Sequence, residues 1–152
     1  AHGALSVDHL EEMSDAEIQL LATNNTIATV LPSCSFFLNI PFAPARELID
    51  AGAALAIASD HNPGSTPSGN GQFLLSLACI KYRLTPSEAI NALTINGAHA
   101  MELQDEAGVI APGRPSRLIV TRPVPSLAYL PYAFGSDLIE KVVIPNKVID
   151  KT

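Results

Sequence analysis

Charged residues are scarce in this sequence: Asp, Glu, Lys and Arg make up 16% of its 152 residues, whereas a typical soluble domain has about 25%. Basic residues are the rarer sign, with nine Lys and Arg against fifteen Asp and Glu. No basic cluster is present to neutralise a phosphate backbone, which argues against nucleic acid as a partner. No window approaches 18 consecutive apolar residues, and the basic start of a signal peptide is missing, so we expect no membrane association.

Cysteine is also rare. Cys34 and Cys79 lie far apart and match neither a metal-binding spacing nor a disulfide framework. A reducing, cytoplasmic location is therefore expected. Apolar residues reach 47%, which indicates more buried surface than a free-standing domain of this length needs. Because the chain also begins without Met and enters an apolar run at once, we expect it to be a piece of a longer protein.

Three consecutive segments share one pattern, in which a short apolar run is followed by a polar loop and then by a helical stretch. The runs are residues 4–7, 26–31 and 53–58. The third run contains no polar side chain, as is typical of a parallel strand that is buried on both faces. Alternating strands and helices predict βαβ units around a parallel sheet.

Several helix boundaries can be predicted from local signals. Capping boxes at residues 14–17 and 85–88 each predict the start of a helix. Pro44 suits a first helical turn, and Gly52 suits the end of that helix. Further helices are expected over about residues 71–83 and 94–103.

The character of the sequence changes after Gly108. Residues 117–121, 141–144 and 148–149 have the composition of strands, and proline-rich segments separate the first two. We therefore place a domain boundary there, with residues 1–108 forming the α/β part and residues 109–152 a β segment. Three βα units are too few to close a barrel, so they form either a small open sheet or the last three units of an eight-unit barrel.

Polar residues follow each predicted strand. The first run leads into Asp8 and His9, the second into residues 32–35, and the third into residues 60–65. Ligands of parallel α/β folds bind at the carboxyl ends of the strands, so these residues are the candidates for a site. A carboxylate can ligate a divalent ion and accept a proton from water, and an imidazole can polarise a carbonyl. His9 and Asp60 at one edge therefore suit metal-assisted hydrolysis.

The third of these loops also carries a turn motif. Pro63 followed by Gly64 predicts a type II turn, because glycine takes the position with positive φ. Such a turn would present backbone N–H groups and the Ser65 hydroxyl to a carboxylate or an amide. Structural interpretations stand beside the catalytic ones. Asp60 can cap its own loop by bonding the backbone two residues on, and the three weaker histidine candidates are a terminal His2, a flanking His61 and a packed His99.

Taken together, these segments resemble the imidazolonepropionases, a family within the amidohydrolase superfamily. The resemblance rests on residues 4–10 (ALSVDHL), 31–38 (LPSCSFFL) and 58–65 (ASDHNPGS), with further matches at 89–91, 96–98 and 129–132. It covers nearly the whole chain, and the turn at 62–65 is its most specific part.

The resemblance implies a fold, an activity and a set of site residues. The fold is the last three βα units of a metal-dependent (β/α)8 TIM-like barrel, together with C-terminal strands of a small composite β-sandwich domain. The activity is hydrolysis of 4-imidazolone-5-propanoate to N-formimidoyl-L-glutamate in histidine degradation, in a cytoplasmic homodimer. Asp60 is then the ligand of one zinc or iron ion and the base, and His9 orients the attacking water or polarises the ring carbonyl. The substrate contacts fall on Asn62, Gly64 and Ser65.

Other motifs of that family are missing from this sequence, namely its paired His-x-His, a further histidine ligand with a nearby glutamate, and the arginine and tyrosine that hold the propanoate. The remaining metal ligands are therefore expected outside this chain, and we expect the chain to be inactive alone. Two alternatives stay open. Instead of an imidazolonepropionase, the chain could belong to another amidohydrolase, such as a metal-dependent deaminase, or it could be a non-catalytic α/β binding or scaffold module.

Overall fold

A computed structural model describes residues 3–151 of the chain. In these residues one sheet contains three parallel strands, β1 (Ser6–Asp8), β2 (Ile27–Val30) and β3 (Leu55–Ile57), in the order β1–β2–β3. Every residue of β2 and β3 is buried, because helices and loops cover both faces of these strands, whereas β1 is largely exposed. The parallel sheet predicted from the three apolar runs is confirmed.

Six helices accompany this sheet: α1 (Asp15–Ala22), α2 (Pro32–Leu38), α3 (Ala45–Asp50), α4 (Gly71–Lys81), α5 (Pro86–Leu93) and α6 (Ile95–Ala100). Both capping boxes are confirmed, because the Glu17 carboxylate accepts from the Ser14 N–H and the Glu88 carboxylate from the Thr85 N–H, each at 2.7 Å. Gly52 follows α3 with φ +95°, a left-handed conformation that glycine adopts without strain. None of the helices in residues 3–151 has both the length and the apolar character that crossing a bilayer requires.

One of these helices differs from the sequence-based expectation. Residues 32–35 were predicted as a polar loop, but they form the first turn of α2, which begins directly after β2. Pro32 supplies the fixed φ that suits a first helical turn, and Ser33, Cys34 and Ser35 are all buried. The prediction of a loop is wrong because hydrogen bonds to neighbouring segments satisfy these serines, so that their polar character does not require exposure to water.

The hydrophobic core lies between the parallel sheet and the helices that follow it. Leu48 of α3, Val30 of β2 and Leu55 of β3 are almost fully buried there. Asn96 links α6 to the sheet, because its side-chain amide donates to the Leu55 carbonyl at 2.7 Å. This hydrogen bond joins α6 to the first residue of β3.

A second sheet follows residue 108. It is antiparallel, with β4 (Leu118–Thr121), β5 (Ile139–Ile144) and β6 (Lys147–Asp150) in the order β4–β5–β6, and a short helix, α7 (Tyr129–Tyr132), lies between β4 and β5. The strands predicted for this region are confirmed. Side chains of α4 reach α7, because the Gln72 amide donates to the Ala133 carbonyl at 2.6 Å and the Ser76 hydroxyl to the Pro131 carbonyl at 2.6 Å.

An ion pair joins α3 to the start of α5. The Arg46 guanidinium donates to both oxygens of Glu88, and its shortest contact is 3.0 Å. Hydrogen bonds lower the pKa of Glu88 from about 4.5 to about 2. The largest effect comes from the Arg46 side chain and the next largest from the Thr85 N–H. The charged carboxylate is therefore the form that the folded state favours.

The free energy of unfolding should depend on the ionisation of Glu88. A lowered folded-state pKa contributes stability above about pH 4.5, and this contribution is lost as the pH falls towards 2. Because the pair is partly open to solvent, we expect its loss to cost about 1 kcal/mol. The measurement is the urea midpoint of unfolding at pH 6 and at pH 3. The difference between these two midpoints should be smaller in Glu88→Gln than in the wild type. In the control Glu47→Gln, which changes an exposed residue of α3, the difference should stay the same. An equal pH dependence in all three proteins would contradict this assignment.

Candidate active site

The first turn of α2 holds two loops at the carboxyl edge of the parallel sheet. On one side, the Ser33 hydroxyl donates to the Ser59 carbonyl at 3.0 Å, just after β3. On the other side, the Ser35 hydroxyl donates to Oε1 of Glu11 at 3.3 Å, in the segment that follows β1. Both serines are buried, so α2 fixes the positions of both loops relative to the end of β2.

Asp60 lies in the loop after β3 with its carboxylate bonded to Ser65. The Ser65 hydroxyl donates to Asp60 Oδ2 at 2.8 Å. The side-chain amide of Asn62 donates to the Asp60 carbonyl at 2.6 Å and to the Ser65 hydroxyl oxygen at 2.7 Å. Asp60 itself has φ +51°, a left-handed conformation in which Asp and Asn are tolerated better than most residues. The structure thus brings together three of the predicted site residues.

The predicted type II turn at Pro63 and Gly64 is wrong. Gly64 does not have a positive φ. Instead, Asn62 Oδ1 accepts hydrogen bonds from the N–H groups of Gly64 at 2.9 Å and Ser65 at 2.8 Å. Asn readily bonds the backbone two or three residues on, and this Asx turn competes with the glycine-dependent one. The two N–H groups predicted to face a ligand are therefore used inside the loop.

A stability measurement distinguishes the two kinds of turn. Gly64→Ala should change the free energy of unfolding by less than about 0.5 kcal/mol, because φ is negative and the added Cβ would meet nothing closer than Asn62 Oδ1 at 3.4 Å. Gly108→Ala is the control, because Gly108 has φ +91° and its added Cβ would lie 2.9 Å from Ala98 Cβ. That control should lose more than about 2 kcal/mol. If urea unfolding showed equal losses of stability in the two variants, a negative φ at Gly64 would be contradicted.

His9 occupies the other loop, directly after β1. Its side chain is 54% exposed, and Nδ1 lies 3.5 Å from Glu11 Oε1. His9 and Leu10 have φ values of 74° and 76°, a left-handed conformation that residues other than glycine rarely adopt. His9 and Asp60 both lie at the carboxyl edge of the sheet, on strands separated by β2.

Glu11 is not among the residues predicted for the site, and Ser35 belongs to the candidate segment 32–35 without a predicted role. Glu11 follows His9 by two positions. In an extended strand two such side chains lie on the same face, but they are about 7 Å apart, which is too far for a hydrogen bond. In the structure both His9 and Leu10 have left-handed backbone, and Nδ1 of His9 lies 3.5 Å from Oε1 of Glu11. The positive φ values have no signal in the sequence, because neither residue is glycine.

The loop after β3 and the remaining histidines have the following contacts and exposure. The carboxylate of Asp60 accepts from the Ser65 hydroxyl, and Asn62 rather than Asp60 caps the backbone of the loop. His61 is exposed, and its N–H donates to the Ser59 hydroxyl. His99 is exposed as well, so the prediction that it packs is wrong, since α6 turns it to solvent. His2 lies outside the described residues.

Cys34 lies beneath the two loops. Burial raises the pKa of its thiol, and the nearby carboxylates of Asp60 and Glu11 raise it further. The thiol is therefore protonated at neutral pH and is a poor nucleophile. Cys34 behaves here as a small buried side chain between the two carboxylates.

The residues present fit one part of a metal site. Within residues 3–151, no three His, Cys, Asp or Glu side chains lie close enough to hold an ion together. Asp60 offers a carboxylate whose Oδ2 accepts from Ser65, which leaves Oδ1 for another partner. Catalytic zinc sites use about three protein ligands, so a metal at Asp60 needs further ligands from outside residues 3–151.

Comparison with known proteins places the chain in a family. The model of the amidohydrolase family matches residues 1–147. Over 148 residues the chain is 53% identical to the imidazolonepropionase of Christiangramia forsetii, and over 146 residues it is 56% identical to that of Flavobacterium johnsoniae. These alignments cover 97% and 96% of this chain but only 36% of each relative. The chain thus spans about a third of the length of the curated relatives that it matches.

Solved structures share the fold. An adenosine deaminase from Xanthomonas campestris with bound zinc superposes with a TM-score of 0.83 at 24% identity, over 94% of this chain and 36% of that one. An atrazine chlorohydrolase from Arthrobacter aurescens complexed with zinc gives a TM-score of 0.83 at 22% identity, over 96% and 36%. At these identities the likeness concerns the fold alone.

Proposed function

The chain belongs to the amidohydrolase family, and we propose that it supplies the last three βα units of a (β/α)8 barrel in an imidazolonepropionase. In this proposal residues 1–108 belong to the barrel, and residues 109–152 form the C-terminal segment of a small composite β-sandwich. Three parallel strands followed by an antiparallel sheet support that division. The other strands come from the two thirds of the relatives' length that this chain does not span.

The activity that we propose is hydrolysis of 4-imidazolone-5-propanoate to N-formimidoyl-L-glutamate, in the degradation of histidine. One observation carries it: the chain is more than half identical to two imidazolonepropionases over nearly its whole length. In the reaction, water adds to the ring carbonyl carbon, the cyclic amide C–N bond breaks, and the proton goes to the departing nitrogen. The product carries a carboxylate where the ring carbonyl stood.

Asp60 and His9 have distinct parts in this reaction. Asp60 is one ligand of a zinc or iron ion, and its carboxylate takes a proton from the attacking water. A bound ion of this kind supplies Lewis acidity and lowers the pKa of water to about 7. His9, at the same edge of the sheet, orients that water or polarises the ring carbonyl. The hydrogen bond from Ser65 fixes the direction of the Asp60 carboxylate.

The loop at 62–65 is proposed to contact the substrate through Asn62, Gly64 and Ser65. Asn62 contributes first by shaping the loop, since its amide makes four hydrogen bonds there. Gly64 is exposed at the tip of the loop and leaves room for a ligand. Ser65 places its hydroxyl beside the carboxylate of Asp60. We further propose that the full-length enzyme is a cytoplasmic homodimer.

The test uses the full-length enzyme that contains this chain. Purified protein is assayed for ring opening of 4-imidazolone-5-propanoate and for deamination of adenosine, and its metal content is measured by mass spectrometry. We expect about one zinc or iron ion per chain, loss of the imidazolone absorbance, and no ammonia from adenosine. Ammonia release without ring opening would assign the chain to a deaminase. A metal-free protein without either activity would make it a binding or scaffold module.

A further inference from the structure

His9 is held by a backbone conformation that costs energy. Two consecutive non-glycine residues, His9 and Leu10, have positive φ, and each such residue costs about 1–3 kcal/mol. Across this left-handed segment, Oε1 of Glu11 lies 3.5 Å from Nδ1 of His9. Strain of this kind persists where the surrounding contacts fix the conformation, and it is concentrated at functional sites.

The Glu11 carboxylate is fixed by a hydrogen bond from Ser35 of α2. Its side chain is only 11% exposed, and Oε1 accepts a hydrogen bond from Ser35, which is fully buried in the first turn of α2. A carboxylate this far from water needs donors. Within residues 3–151, neither Lys nor Arg lies within 4.0 Å of it, and the one basic side chain that does is His9.

We propose that Glu11 is a positioning residue for His9, holding the imidazole through Nδ1 so that Nε2 remains free at the carboxyl edge of the sheet. This inference deepens the proposed function and rests on it for the role of His9. An ionised carboxylate accepts hydrogen bonds but cannot donate them, so it selects the tautomer in which Nδ1 carries the hydrogen. The separation of 3.5 Å is long for a hydrogen bond, as is common for catalytic pairs without a bound substrate.

The selected tautomer decides between the two roles that remain open for His9. With the proton on Nδ1, Nε2 has a lone pair and accepts a hydrogen bond. His9 then orients the attacking water through Nε2 instead of donating to the ring carbonyl. Within residues 3–151, no hydrogen bond to Nε2 of His9 is formed, and the side chain is 54% exposed.

The test combines kinetics with a direct measurement of the tautomer in the full-length enzyme. Glu11→Gln removes the charge and keeps the shape, and Ser35→Ala removes the donor that fixes Glu11. Glu12→Gln is the matched control, because Glu12 is the exposed neighbour. Each protein is characterised by kcat and KM, by metal content, by its urea midpoint, and by the ¹⁵N chemical shifts of the His9 ring.

Glu11→Gln should lower kcat about 10- to 100-fold, the usual cost of losing the partner of a functional histidine. KM, metal content and the urea midpoint should stay near the wild-type values. The ring nitrogens should change from the Nδ1–H tautomer to a mixture or to Nε2–H, while Ser35→Ala shifts them in the same direction and Glu12→Gln leaves them unchanged.

An Nε2–H tautomer in the wild-type enzyme would overturn the proposal, and so would a kcat within twofold of wild type in Glu11→Gln. If Glu11→Gln fails to fold, two measurements still test the proposal. They are the His9 tautomer of the wild-type enzyme and the kcat and tautomer of Glu11→Asp, which keeps the charge. If the wild-type enzyme does not open the imidazolone ring, the proposed function fails, while the ¹⁵N spectra still report whether Glu11 positions His9.

Discussion

Asp60→Asn is expected to lower kcat of the full-length enzyme by at least about 1,000-fold, because general-base catalysis alone contributes about 10²–10⁴-fold and the variant also loses a charged metal ligand. Asparagine keeps the size of the side chain and tolerates the left-handed backbone at this position. Its Oδ1 can still accept from the Ser65 hydroxyl. The substitution should therefore leave the shape of the loop unchanged, so that a loss of activity reports the charge and basicity of Asp60.

The measurement pairs initial rates on 4-imidazolone-5-propanoate with metal analysis and urea unfolding. Asp15→Asn serves as the control, because it removes one exposed carboxylate in the first turn of α1 and leaves the site untouched. Metal content should fall in Asp60→Asn while the urea midpoint stays close to that of the wild type. A variant that retains most of the wild-type kcat would remove Asp60 from both of its proposed roles.

The sequence-based predictions are accurate where structure depends on nearby residues or on burial of a whole run. Ser14 with Glu17 and Thr85 with Glu88 form the predicted capping boxes, because each box needs only residues three positions apart. The apolar run at 53–58 contains the buried strand β3, since a strand covered on both faces tolerates few polar side chains.

Predictions are wrong where a side chain makes contacts that its neighbours in the sequence do not determine. Ser33 and Ser35 are polar, and their hydrogen-bond partners are 26 and 24 positions away in the sequence. The local sequence of the first turn of α2 therefore favours a loop. Pro63 and Gly64 favour a type II turn by residue type. The outcome is decided instead by Asn62, whose side-chain carbonyl accepts both N–H groups of the turn.

The candidate site divides in the same way. Residues that follow strands, such as His9 and Asp60, could be predicted, because a parallel sheet brings its carboxyl ends to one edge. Glu11 could not, since it depends on positive φ values at two residues for which the sequence carries no glycine. Residue types near strand ends thus predict which side chains share the carboxyl edge of the sheet, whereas the contacts between those side chains depend on the folded backbone.

His9→Asn is expected to lower kcat by about 10²–10⁴-fold, the range for losing a positioned acid or base, while metal content stays near that of the wild type. Asparagine is chosen because it tolerates the positive φ at this position, so the loop should keep its conformation and the urea midpoint should change little. The rate falls because the side chain is too short to reach the water that Nε2 orients.

The control for His9→Asn is His61→Gln, which removes the exposed histidine from the loop after β3 at the same edge of the sheet. It should keep kcat and metal content near the wild-type values, so that the loss in His9→Asn is specific to its position. Rates and bound metal are measured on the same preparations. If His9→Asn loses its metal in parallel with its activity, His9 is a ligand, and the free Nε2 belongs to the metal rather than to the water.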